Sequence, residues 1–142
     1  MRGRTNEPTE LERCEARGVN PALATAAILT VLLAAAHSYL GERYILIRLF
    51  RRGDLPKLLG GTRFTQDTLR LAWHITSVAA LGFAALLVAL ALPGGVEPRV
   101  HGSVIGATFA VSGLVALVGS RGRHLSWIVF FSIAVLIFWA YR

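Results

Sequence analysis

The sequence predicts an all-α fold, an integral membrane bundle of four transmembrane helices. Three observations carry this: too little charge to face water, four long uncharged stretches, and basic residues gathered into alternate connections. Of the 142 residues, 54% are hydrophobic and 16% charged, whereas soluble domains carry roughly a quarter charged residues. The length allows one compact domain.

A helix rising about 1.5 Å per residue needs around 20 mostly apolar residues to cross a hydrocarbon core about 30 Å thick. Stretches free of Asp, Glu, Lys and Arg run from Gly18 to Gly41, Leu71 to Val96, Val100 to Ser120 and His124 to Tyr141. They divide the chain into a polar tail, 1–20, and a membrane domain, 21–142, with spans at about 21–41, 71–92, 102–120 and 124–141 and a basic loop at 42–70. Run lengths of this kind suit helices, which pair their backbone groups within the segment, rather than the short alternating strands of a barrel. The last two spans are short; the fourth carries Trp127, Trp139 and Tyr141 near its ends, where aromatic residues anchor at interfaces.

The tail is expected to remain on the chain, because its mixed polar residues do not resemble the short, positive leader of a cleaved signal peptide. Its Cys14 is the single cysteine, so neither an internal disulfide nor a CxxC redox motif is available.

Orientation follows from charge. Arg43, Arg48, Arg51, Arg52, Lys57, Arg63 and Arg70 lie between the first two spans, and Arg121 and Arg123 follow the third. The other side has Arg99 and Arg142, with four tail arginines offset by Glu7, Glu10, Glu12 and Glu15. The positive-inside rule puts loops 42–70 and 121–124 in the cytoplasm and both termini outside, in the cell inner (plasma) membrane.

The 42–70 segment interleaves apolar and basic residues. The first helix is expected to run on towards Phe50, with Tyr44, Leu46, Ile47 and Phe50 at the headgroup level and the arginines reaching anionic lipids. Arg52-Gly53-Asp54, Pro56 and Gly60-Gly61 punctuate the way to the second helix. Topology alone requires such a basic run, so the net charge of +7 points to lipid and not to a nucleic-acid partner.

In the third span Gly102, Gly106 and Ala110 recur at four-residue spacing, followed by Gly113. Small side chains on one face let another helix approach closely, either inside the bundle or in a homo-oligomer or membrane complex.

The histidines are the candidate chemistry. His37 lies about four residues before the end of span one and His74 about four after the start of span two, each roughly 6 Å inside the same boundary. His124 opens span four on that side, and Glu42 follows span one. Three uses suit such a layer. His37 and His74 are placed as axial ligands for haem b. With His124 and Glu42 they form a donor set for zinc or another divalent transition metal, with Ser38, Thr76 and Ser77 as supporting partners. As titratable groups within a membrane they also suit a small transporter or proton-conducting unit. Against these stands the plain structural alternative, in which each imidazole stays neutral and bonds a neighbouring carbonyl or serine.

Ordinary enzymology is poorly provisioned: the sequence has no nucleophile elbow, P-loop or dinucleotide fingerprint, and no carboxylate pair within the spans. A non-enzymatic role is the expectation. The enzymatic routes left are a metal-activated water at the histidine layer or lipid-modifying chemistry at that interface. The leading functional expectation is a haem- or metal-binding membrane component; a non-enzymatic accessory or assembly subunit is the alternative.

The motifs HSYLGE (His37 to Glu42) and WHITS (Trp73 to Ser77), with His124 and Trp127, resemble small, uncharacterised bacterial inner-membrane proteins of four helices. The resemblance implies topology and no activity.

Overall fold

A computed structural model describes residues 18–58 and 61–142. Cys14, the tail's charged residues and Gly60 lie outside the described residues. Four helices make up the described chain: α1 (Pro21–Phe50), α2 (Arg63–Ala91), α3 (Pro98–Gly119) and α4 (Ser126–Ala140). The first three are long and apolar enough to cross a membrane, while α4, with 15 residues, is the shorter apolar helix. At about 1.5 Å per residue α4 reaches roughly 22 Å.

Local chemistry explains the ends. Asn20 caps α1, its Oδ1 accepting from the backbone N–H of Ala22 at 3.0 Å and of Leu23 at 3.4 Å, and Pro21 fills the first helical position. Pro98 opens α3 in the same way. The α3–α4 turn passes through left-handed backbone at Arg121 (φ 51°) and Gly122 (φ 78°). Ser120 braces it, donating to the Ala116 carbonyl at 2.6 Å and accepting from the His124 N–H at 3.1 Å.

The helices extend beyond the uncharged stretches. The α1 helix continues to Phe50, and α2 begins at Arg63, eight residues before the expected span. The loop expected over 42–70 is therefore mostly helix, because Arg63, Asp67 and Arg70 stand at intermediate or exposed positions in the first turns of α2, where charge is tolerated. The fourth helix begins at Ser126, and His124 belongs to the turn.

Packing runs in series, α1 on α2, α2 on α3 and α3 on α4. The first pair is antiparallel: the Asn20 N–H donates to the Ala91 carbonyl at 2.9 Å. Its buried small residues recur every seven positions, Ala27, Ala34 and Gly41 on α1 with Ser77, Ala84 and Ala91 on α2. That spacing keeps one narrow seam facing the partner helix. The third and fourth helices use glycine against aromatic rings. Gly102 lies under Tyr141, Gly106 under Phe138, and Gly113 under Phe130 and Phe131. Those glycines are buried and Ala110 is half-buried, so α4 of the same chain occupies the small-residue stripe expected to pack a helix. Gly82 of α2 meets Thr108 of α3.

The outward surface is apolar. Leu29, Leu33, Val135, Leu136 and Trp139 are each more than 60% exposed, an arrangement that water would penalise and lipid would not.

Candidate functional site

A polar clasp joins α1 and α2 on the side where the basic residues gather. Ser38 and Glu42 lie four residues apart on α1, Arg70 and His74 four apart on α2, and that spacing places each pair on one helix face. The antiparallel seam brings the two faces together. Ser38 Oγ is 2.8 Å from His74 Nδ1, and His74 Nε2 is 3.4 Å from Glu42 Oε2. Arg70 holds the same carboxylate with two nitrogens, Nε to Oε2 at 3.1 Å and Nη2 to Oε1 at 2.7 Å. The His74 and Glu42 side chains are 30% and 29% exposed, open enough to meet solvent or headgroups.

Beside this chain lies a second contact set. The Trp73 indole donates to the His37 carbonyl at 2.9 Å, and its ring lies flat on the His37 imidazole, 4.5 Å between centroids and 3° from parallel. A glycine makes room for it: a Cβ at Gly41 would overlap the indole. At Gly41 the helix also widens into a π-helical segment, Gly41–Leu46, closed by the Ile47 N–H bonding to the Glu42 carbonyl. Such single-turn π segments recur at functional sites.

Proton counting fixes one tautomer. Thr76 Oγ1 donates its single proton to the Trp73 carbonyl at 2.6 Å, so toward His37 Nε2, 3.0 Å away, it can only accept. His37 therefore carries its proton on Nε2. The His74 ring is constrained too, since a carboxylate beside Nε2 favours a proton there and leaves Nδ1 to accept from Ser38.

The expected ligand sets do not assemble. His37 and His74 stand at one level, as their matched depths imply, but they face different partners. His124 stacks on Phe64 at 5.7 Å and contacts Ser126 at 3.1 Å. Phe64 lies ten residues before His74 on α2, about 15 Å along the helix, whereas donors to one metal ion each sit about 2 Å from it. Among the described residues no group of three or more His, Cys, Asp or Glu side chains is placed to hold a metal. Haem ligation by His37 and His74 fits no better, because the Nε2 proton and the flat Trp73 indole cover His37 while both ring nitrogens of His74 have partners. His101 is at the far end, near the Glu97 carbonyl.

Two of the three supporting partners expected from sequence, Ser38 and Thr76, are in the clasp. Ser77 is not; its hydroxyl is buried without a hydrogen-bond partner. Arg70, Gly41 and the Trp73 indole were not expected as clasp residues. For Arg70 the signal in the sequence is its four-residue spacing from His74, matched by that of Ser38 and Glu42. The grooves between α2, α3 and α4 are lined by apolar and hydroxyl side chains such as Ala79, Phe83, Ile105, Thr108 and Phe109.

Fold and surface together define the class, a small helical membrane protein with a polar clasp between two of its helices. No family model, no curated protein and no solved structure matches the chain.

Proposed function

We propose that the chain is a four-span inner-membrane protein whose working part is an acid–base centre in the α1–α2 clasp. The observation that carries this reading is the connected series Arg70, Glu42, His74, Ser38. An imidazole with a hydroxyl on one nitrogen and a braced carboxylate at the other is arranged to take a proton from the hydroxyl and return it. The series stops one turn inside the boundary. Ser77 lies one turn deeper than His74, and beyond it the buried seam positions are Ala34, Ala27, Ala84 and Ala91, which offer no further continuation for a proton or ion, so chemistry at one face is favoured over conduction.

The four-span topology rests on α4 running along most of α3, from Gly102 against Tyr141 to Gly113 against Phe130. A helix shorter than the hydrocarbon is accommodated by local thinning and interfacial aromatic residues. The basic side is assigned to the cytoplasm and both termini to the outside. There Arg43, Arg48, Arg51 and Arg52 would meet anionic headgroups, in keeping with the likeness to four-helix bacterial inner-membrane proteins.

The test is the His74 tautomer. In protein labelled with ¹⁵N at histidine and held in lipid nanodiscs, His74 is expected to carry its proton on Nε2, with Nδ1 accepting. A proton found on Nδ1 would make the imidazole a donor to Ser38 and remove the base from the centre.

A further inference from the structure

Ser38 behaves unlike its neighbours. The hydroxyls of Thr25, Thr30, Thr68, Thr108, Ser112 and Ser132 each donate to the carbonyl four residues earlier in their own helix. That is the ordinary fate of a hydroxyl in a transmembrane helix. Ser38 is turned off its helix, to a base 2.8 Å away. The base is itself oriented by a third group, Glu42, which Arg70 holds by two contacts. A hydroxyl hydrogen-bonded to an imidazole, with a braced carboxylate 3.4 Å from the other ring nitrogen, is the arrangement of an activated nucleophile.

We infer that Ser38 is a nucleophile, activated by His74, that attacks ester bonds of membrane lipids at the basic face. The inference rests on the acid–base reading of the clasp. Position selects the substrate class. Ser38 is half-buried roughly a turn inside the boundary, between exposed Tyr39 and Leu40 on one side and the Glu42–Arg70 pair on the other. Lipid ester groups lie at this junction of headgroup and acyl chain. The neighbouring arginines favour anionic lipids there.

In the step, Ser38 Oγ bonds to the ester carbonyl carbon as its proton passes to His74 Nδ1, while the Nε2 proton stays facing Glu42. The carbon–oxygen bond to the alcohol breaks, and the departing alkoxide takes the proton from Nδ1. Water then adds to the acyl-serine with the same base, releasing the carboxylic acid and restoring the hydroxyl. The ring nitrogens are exchanged relative to the familiar serine triad, in which Nε2 meets the nucleophile. Either nitrogen serves provided the other carries the proton.

The test uses the full chain in nanodiscs of phosphatidylethanolamine and phosphatidylglycerol, treated with an alkyl fluorophosphonate. Ser38 displaces fluoride at phosphorus and stays covalently marked, which peptide mass spectrometry reads. Fluoride leaves without needing a proton and the phosphonylated serine resists hydrolysis, so capture reads the attack step alone. Marking is expected at Ser38, absent in Ser38→Ala, slowed about a hundredfold or more in His74→Gln, and unchanged in Ser132→Ala. The ¹⁵N spectrum of each variant's remaining histidines establishes that it is folded. An unmarked wild-type protein whose His74 carries its proton on Nε2 would overturn the nucleophile and leave the acid–base centre standing. Unmarked protein with the proton on Nδ1 would overturn both. Marking that survives Ser38→Ala would also overturn the assignment.

Discussion

Adding one methyl group at Gly41 tests the construction of the clasp. A Cβ there would overlap the Trp73 indole, so Gly41→Ala forces the ring away. Displacement breaks the indole bond to the His37 carbonyl and the flat stack on the imidazole. A net hydrogen bond is worth about 0.5–1.5 kcal/mol, and an aromatic stack about the same. Repacking around an inserted carbon costs about 1–3 kcal/mol. Against this, replacing Gly by Ala inside a helix stabilises by about 1 kcal/mol. The expected net loss is about 1–5 kcal/mol, read by reversible unfolding in mixed micelles with Trp fluorescence following the indole. A double-mutant cycle isolates the cause: in a Trp73→Ala background the same Gly41→Ala change should be neutral or stabilising. Gly119→Ala is the control, since a Cβ there meets nothing within 4 Å. An unchanged or more stable Gly41→Ala protein would show that Trp73 does not occupy the slot.

Three further outcomes follow from the same geometry. Gly106→Leu places a branched side chain where even a Cβ would lie 3.0 Å from Phe138; it should separate α4 from α3 and lower stability by about 1–3 kcal/mol, and unchanged unfolding would refute that packing. Ser120→Ala removes both hydrogen bonds that brace the α3–α4 turn and should cost about 1–3 kcal/mol, with faster amide exchange at His124. Arg121→Gly relieves a left-handed backbone position at φ 51°, which costs an L-residue about 1–2 kcal/mol, against the extra chain entropy of glycine, about 0.5–1 kcal/mol, and should stabilise by up to about 1.5 kcal/mol; a loss instead would mean that the Arg121 side chain anchors the turn.

Much of the fold was legible because lipid imposes a simple demand: about 20 apolar residues in one run with every backbone group paired internally. Helix ends were less legible. Arg63 and Asp67 interrupt the apolar run without interrupting the helix, since hydropathy reports the hydrocarbon boundary and not where hydrogen bonding stops. The α1–α2 seam was hidden by abundance, because Ala27, Ala34, Ala84 and Ala91 stand in alanine-rich spans where many registers look alike. The α3 stripe was visible because Gly102, Gly106 and Gly113 stand out in a helix with few alanines. Depth could be counted along two helices, which put His37 level with His74. Direction could not, and it decides the chemistry: the indole over His37 and the hydroxyl and carboxylate around His74 leave no shared point for a metal. The uncharged run that begins at His124 does not coincide with the fourth helix; the α3–α4 turn holds His124 beside Phe64 instead.

The contrast between stability and chemistry at Glu42 gives a final prediction. Its partner Arg70 is 44% exposed, and exposed ion pairs contribute about 0.2–1 kcal/mol, so Glu42→Gln should change the unfolding free energy by no more than about 1 kcal/mol. The effect on His74 should be qualitative. A carboxylate only accepts, which holds the ring proton on Nε2, whereas a carboxamide can turn its NH₂ toward Nε2 and accept no proton from it. The tautomer preference is then lost, and where the proton sits on Nδ1 the ring donates to Ser38 rather than drawing on its hydroxyl. The ¹⁵N spectrum of Glu42→Gln should show Nδ1–H appearing beside Nε2–H at His74 where the wild type shows Nε2–H alone, with near-native stability. If Glu42→Gln instead lost several kcal/mol with the tautomer unchanged, the carboxylate would be a structural tie and Ser38 would have lost the group that aims its base.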